Sequence, residues 1–162
     1  MTISVGSTLP EATLLIMGEA GAESVSMATK LNGRKVVIFG LPGAYTGTCT
    51  TSHVPSFMRV ADKLRAKGVD EIICLAVNDP FIMKAWGEST GAVVAGITFL
   101  ADSDASFTKA LGLTFTVPNL GFFDRSKRYA LYAENGVVKV LNRGEESNAC
   151  EISGGETMLA AL

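Results

Sequence analysis

Apolar residues along this chain gather in short unbroken runs that alternate with stretches of helical spacing. Lys35-Val-Val-Ile-Phe-Gly40, entered through Asn32-Gly33, has the continuous β-branched pattern of a central strand covered on both faces. A Gly/Pro/Thr loop, Leu41 to Thr48, follows it. From Cys49 to Lys67, Val54, Phe57, Met58, Ala61 and Leu64 recur at helical spacing, which predicts a helix bent near Pro55 and ended by Gly68. Glu71 to Val77 reads as a second buried strand, and Asn78-Asp79-Pro80 as a cap with proline opening a helix through Trp86. Ile97 to Ala101 reads as a third strand and Asp104 to Leu111 as a short helix. Tyr129 to Ala133 and Val137 to Leu141 form a hairpin around Asn135-Gly136, and Gly155 to Leu162 a terminal helix. Near the N-terminus, Leu9 to Met17 and Ser24 to Ala28 flank a turn at Gly18 to Ala22, the pattern of another hairpin. Strands alternating with helices and closing on a hairpin plus helix predict an α/β sandwich with a mixed sheet.

The composition narrows this reading. At 162 residues, 48% hydrophobic and 19% charged, the chain is expected to form a single domain, residues 1–162, without repeat, linker or low-complexity segment. A chain of this length removes roughly 70% of its unfolded surface from water on folding, so its core needs no disulfide or metal staple. The net charge of −2 and the absence of a basic run argue against a nucleic-acid partner. The apolar runs fall well short of the roughly 20 residues of a membrane-spanning helix. Met1 to Pro10 lacks a basic start and an apolar stretch, so a cytoplasmic location is expected. Cys49, Cys74 and Cys150 fit neither a secreted disulfide framework nor paired zinc ligands.

Cys49 falls where strand and glycine-rich loop give way to a helix, a place that offers backbone N–H groups and a partial positive charge. A thiol there has its anion favoured, and the thiolate is the nucleophile. Composition alone supports a plainer reading, a buried structural cysteine. The neighbourhood favours the first: Pro42-Gly-Ala-Tyr-Thr46-Gly-Thr-Cys49 reads Pro-x3-Thr-x2-Cys directly after a core strand.

That motif resembles the active-site motif of peroxiredoxins. Phe39 to Cys49 followed by His53-Val54-Pro55 is similar to the type II, or atypical two-cysteine, branch, as are Gly68 to Cys74, Val77 to Phe81 with Lys84 to Trp86, and Ser126-Lys-Arg-Tyr129. The resemblance runs from about residue 5 to the C-terminus and implies a thioredoxin-like sandwich with a central mixed β-sheet flanked by helices. It implies that Cys49 attacks the peroxide, that Thr46 faces the sulfur and the bound peroxide, and that Pro42 shields the thiolate. Thr46 is otherwise a helix cap and Pro42 a turn former. Arg128 matches the family's distant arginine, a role that the residues alone do not assign to it over Arg125. Backbone N–H groups of Gly47 and Cys49 are expected to cradle the peroxide oxygens, although Gly47 stands where relatives often carry proline.

His53, the chain's only histidine, lies one helical turn beyond Cys49. A supporting role, orienting the loop or tuning the thiolate, is preferred to that of catalytic base. A metal site of Cys49, His53 and Cys74 lacks a fourth ligand, and no metal or other cofactor is expected. The implied reaction turns Cys49 into a sulfenic acid that a second thiol must discharge. Cys150, in the polar stretch Glu145 to Glu151, and Cys74, in an apolar strand, each resemble resolving cysteines of type II members. The third route, an external thiol from glutathione, glutaredoxin or thioredoxin, is preferred. The resemblance suggests a homodimer packed beside the loop. A thioredoxin-like disulfide reductase is disfavoured because the loop lacks Cys-x-x-Cys. A non-enzymatic redox-sensing or chaperone-like domain is the alternative.

Overall fold

A computed structural model describes residues 2–144 and 151–162. β1 (Thr13–Gly18) and β2 (Gly21–Ser26) form the N-terminal hairpin, followed by α1 (Met27–Leu31). β3 (Lys35–Gly40) leads through the loop to a π-helical turn (Cys49–His53) and α2 (Val54–Ala66). Then come β4 (Glu71–Ala76), α3 (Pro80–Ser89), β5 (Ile97–Ala101) and α4 (Ser106–Leu111). A small pair, β6 (Thr114–Val117) and β7 (Phe122–Ser126), precedes the hairpin β8 (Tyr129–Glu134) and β9 (Val137–Arg143), and α5 (Gly155–Ala161) closes the chain.

Seven strands form one sheet in the order β2-β1-β5-β4-β3-β8-β9. Its parallel centre, β5-β4-β3, is bordered by antiparallel neighbours on both sides. This is the mixed sheet expected, and the period-2 alternation of its strands explains their unbroken apolar runs. On β3, Val37 and Phe39 face a core shared with α2, α3 and α5, while Val36 and Ile38 face one shared with α1 and α4. β3 is therefore the element around which both layers close. Gly40 at its end is required by close approach: a methyl there would lie 2.2 Å from the Tyr129 ring.

Several expected boundaries move. The first hairpin turns on Glu19 and Ala20 alone, and Met27 and Ala28 leave the second strand for α1. Asn135 and Gly136 both take positive φ, 48° and 77°, the two-residue turn that Asn-Gly favours. β6 and β7 were not expected; they are short and mixed in polarity. The helix predicted from Cys49 is not one bent α-helix. The Val54 N–H reaches back five residues to the Cys49 carbonyl, and Pro55, lacking an N–H, follows inside the first turn of α2. The irregularity thus precedes Pro55. No helix of the described residues is long and apolar enough to cross a membrane.

Candidate active site

The loop after β3 sits at the carboxyl end of the parallel strands, where α/β sheets gather their ligands. Its backbone is held from two directions. Asn78, just after β4, accepts the Ala44 N–H on Oδ1 at 3.0 Å, and Arg125 on β7 donates from Nη1 to the Pro42 carbonyl at 2.9 Å. The Arg125 guanidinium lies 4.8 Å above the centre of the Phe122 ring, which limits its motion. A methyl on Gly43 would lie 2.4 Å from Arg125 Nη1, so the bare glycine lets the guanidinium keep this place. Tyr45 takes the left-handed conformation, φ 63°, a strain of about 1–3 kcal/mol for a bulky residue that these anchors sustain.

Cys49 opens the π-turn and is 1% exposed. Trp86, buried on α3, donates from Nε1 to Thr50 Oγ1 at 3.1 Å and so pins the turn beside the sulfur. Arg128 occupies the two-residue link between β7 and β8 and points inward, 9% exposed. Its Nη2 donates to Cys49 Sγ at 3.3 Å, and its Nη1 lies 3.0 Å from His53 Nδ1. On the far side of the ring, His53 Nε2 lies 2.9 Å from the Ser153 carbonyl oxygen.

These contacts fix the proton on His53. A carbonyl oxygen only accepts and a guanidinium only donates, so Nε2 carries the hydrogen and Nδ1 is the bare acceptor. The ring packs, tilted, beside the stacked pair Phe39 and Phe57, whose centres are 4.1 Å apart. Burial first, and the Arg128 charge second, hold the His53 pKa down to about 3 from 6.5, against a smaller opposing effect of Ser153. His53 forms no hydrogen bond with the sulfur; it is a neutral acceptor that orients Arg128.

The remaining expected residues fall in different places. Thr46 donates its hydroxyl hydrogen to the Gly43 carbonyl at 2.7 Å, leaving its oxygen to accept. It directly precedes the helical residues Gly47 and Thr48, and its carbonyl accepts the Thr50 N–H at 3.1 Å, so it stands at the helix start as a cap by its main chain and not by its hydroxyl. Pro42 is half-buried in the loop and Gly47 exposed, with open space where a side chain would project. Cys74 is fully buried on β4, paired in register with Phe39 and Phe99, and burial, then Cys49, pushes its thiol well above the ordinary range. It shares with Cys49 the core that carries α2, but as a protonated thiol it is a poor nucleophile. Cys150 lies outside the described residues. Ser153, which holds the site by its carbonyl, was not singled out in the sequence; Asn78 and Trp86 were read there only as helix ends and parts of the resemblance, and Arg125 only as the alternative to Arg128.

A mixed sheet with this topology and helices on both faces is a thioredoxin-like fold, and the cysteine at its active end makes the molecule a thiol oxidoreductase. Relatives agree. A family model described as Redoxin matches residues 4–159. The rice (Oryza sativa subsp. japonica) protein Peroxiredoxin-2C is 46% identical over 99% of this chain and 98% of its own length. Peroxiredoxin-2E-2, chloroplastic, of the same plant is 47% identical over 99% of this chain and 73% of its own. The structure of reduced Prx3 from Vibrio vulnificus in complex with H2O2 superimposes with a TM-score of 0.92 at 46% identity, covering 99% of each chain. The chain belongs to the type II branch of the peroxiredoxin family, and it is a thiol-dependent peroxidase.

The buried histidine gives the protein a definite pH dependence. The unfolded chain binds a proton at His53 below about 6.5, whereas the folded protein binds none until about 3, so stability falls as pH drops through that interval. Between pH 6.5 and 5, above the range where most carboxylates titrate, the loss is about 1–2 kcal/mol. Urea unfolding at these two pH values is expected to show it in the native protein and not in His53→Phe; equal losses in both would contradict the assignment.

Proposed function

We propose that this enzyme reduces hydrogen peroxide and small alkyl hydroperoxides through a sulfenic acid on Cys49. The observation that carries the reading is the Arg128 guanidinium donating to Cys49 Sγ at 3.3 Å inside a nearly closed site. A cation in contact stabilises the thiolate and, by its planar fork, is placed to bind the peroxide that the thiolate attacks. The thiolate displaces along the O–O axis: a sulfur–oxygen bond forms, the O–O bond breaks, and the leaving oxygen takes a proton to depart as water or alcohol. Sulfur is oxidised by two electrons and the peroxide reduced by two. Thr46, with its hydrogen engaged by Gly43, accepts a hydrogen bond from the peroxide O–H, and the N–H groups of Gly47 and Cys49 stabilise the developing negative charge. Pro42 keeps bulk water from the loop side. The low exposure of Cys49 favours small peroxides over bulky ones.

The sulfenic acid is discharged by an external thiol, glutathione with glutaredoxin or thioredoxin. Burial and protonation of Cys74 support this route over an internal one. The thiol sulfur attacks the sulfenic sulfur, water leaves, and a second thiol reduces the mixed disulfide. The working form is a homodimer: Tyr45, Phe81, Leu120 and Phe123 are 55–67% exposed apolar side chains on the segments that brace the loop, a surface suited to a second copy. A cytoplasmic location, the expectation from the first residues, is part of the same proposal.

Rapid-mixing kinetics with hydrogen peroxide test the nucleophile: native protein gives a fast phase, and Cys49→Ser loses it by more than about 1,000-fold. A retained fast phase would reject Cys49. Mass spectrometry after one equivalent of peroxide is expected to find Cys49 as a trapped sulfenic acid or a glutathione adduct. A disulfide to Cys74 or Cys150 would instead reject the external route.

A further inference from the structure

His53 is tied to the C-terminal segment twice. Its ring donates from Nε2 to the Ser153 carbonyl at 2.9 Å. Its own carbonyl accepts from Ser56 Oγ at 2.6 Å, and that oxygen accepts the Gly155 N–H at 2.9 Å. Ser153 thus holds the His53 ring directly, and Gly155 reaches the His53 carbonyl through the Ser56 hydroxyl. The grip is tight, because a methyl on Gly155 would lie 2.3 Å from the Ser56 carbonyl oxygen and 2.8 Å from Val60 Cγ2. Met158, one turn further, is fully buried in the core under α2. Gly144, at the end of β9, donates to the Arg128 carbonyl at 2.9 Å and packs so closely on Ser153 that a methyl would come within 2.8 Å of its Oγ.

Imidazole has two neutral tautomers, and only the one protonated on Nε2 offers Nδ1 to Arg128. The other would turn a hydrogen towards the guanidinium and push it from its place. The Ser153 carbonyl, able only to accept, selects between them.

We propose that the C-terminal segment is a positioning element of the active site: with α5 seated on α2, the Ser153 carbonyl holds His53 in the tautomer that aims Arg128 at Cys49. Loosening of α5 then lowers the reactivity of the sulfur by way of His53 and Arg128. The inference deepens the proposed function and rests on Cys49 being the nucleophile.

The single histidine makes the test direct, since the protein has one pair of imidazole nitrogen resonances. In the native protein these should show Nε2 protonated and Nδ1 bare. Gly155→Ala, or Met158→Ala should the first fail to fold, is expected to move both resonances towards a tautomer mixture. Alkylation of Cys49 near neutral pH should slow about threefold to tenfold, the loss expected when a charge-assisted hydrogen bond weakens. In a His53→Phe background the same substitution should cause no further slowing, whereas general loosening would slow both backgrounds alike. His53→Asn, which keeps an acceptor near Arg128, should recover part of the rate lost in His53→Phe. Equal slowing in both backgrounds, or an unchanged tautomer and rate while hydrogen exchange reports a loosened α5, would overturn the proposal. Failure of Cys49 as nucleophile shows separately, as a fast peroxide phase retained in Cys49→Ser.

Discussion

A guanidinium taken out of water must find compensation, and in this protein it finds it in sulfur. Arg128 is 9% exposed, and among the described residues no carboxylate forms an ion pair with it. Its near partners are a neutral imidazole nitrogen and Cys49 Sγ. In the proposed mechanism the balancing negative charge is the Cys49 thiolate, and each group then offsets the cost of the other's burial. A carboxylate in the same place would neutralise Arg128 and leave the sulfur without its cation.

Holding these groups together takes four separate parts of the chain. The end of β3 and its loop deliver Cys49, the link between β7 and β8 delivers Arg128, the π-turn carries His53, and the C-terminal segment supplies a single carbonyl. Asn78, Arg125 and Trp86 hold the loop and turn from three further directions. The π-turn matters because it puts Cys49 and His53, four residues apart, on either side of one guanidinium. The left-handed backbone at Tyr45 is the strain that goes with presenting the loop in this shape.

Strands with continuous apolar runs, and the hairpin around Asn135-Gly136, were legible in the sequence because burial on two faces and positive φ each leave a local mark. Cys49 was legible as a strand-to-helix thiol. Arg128 was not, since it lies 79 residues away and nothing in its own neighbourhood separates it from Arg125; only family resemblance chose it. The structure gives the two arginines different tasks, one at the sulfur and one at the Pro42 carbonyl. Ser153 was invisible for a plainer reason: its contribution is a backbone carbonyl, which every residue has. Thr46 was legible as the residue at the helix start, but that its hydroxyl gives its hydrogen to the Gly43 carbonyl was not, because propensity does not distinguish this local turn contact from a side-chain cap.

The central claim is that the Arg128 charge sustains the anionic sulfur. Titrating the ultraviolet absorbance of the Cys49 thiolate in the native protein and in Arg128→Gln, with Cys74 and Cys150 replaced in both, measures this most directly. The account predicts that thiolate appears at distinctly higher pH in Arg128→Gln. Superimposable curves from two equally folded proteins would contradict it.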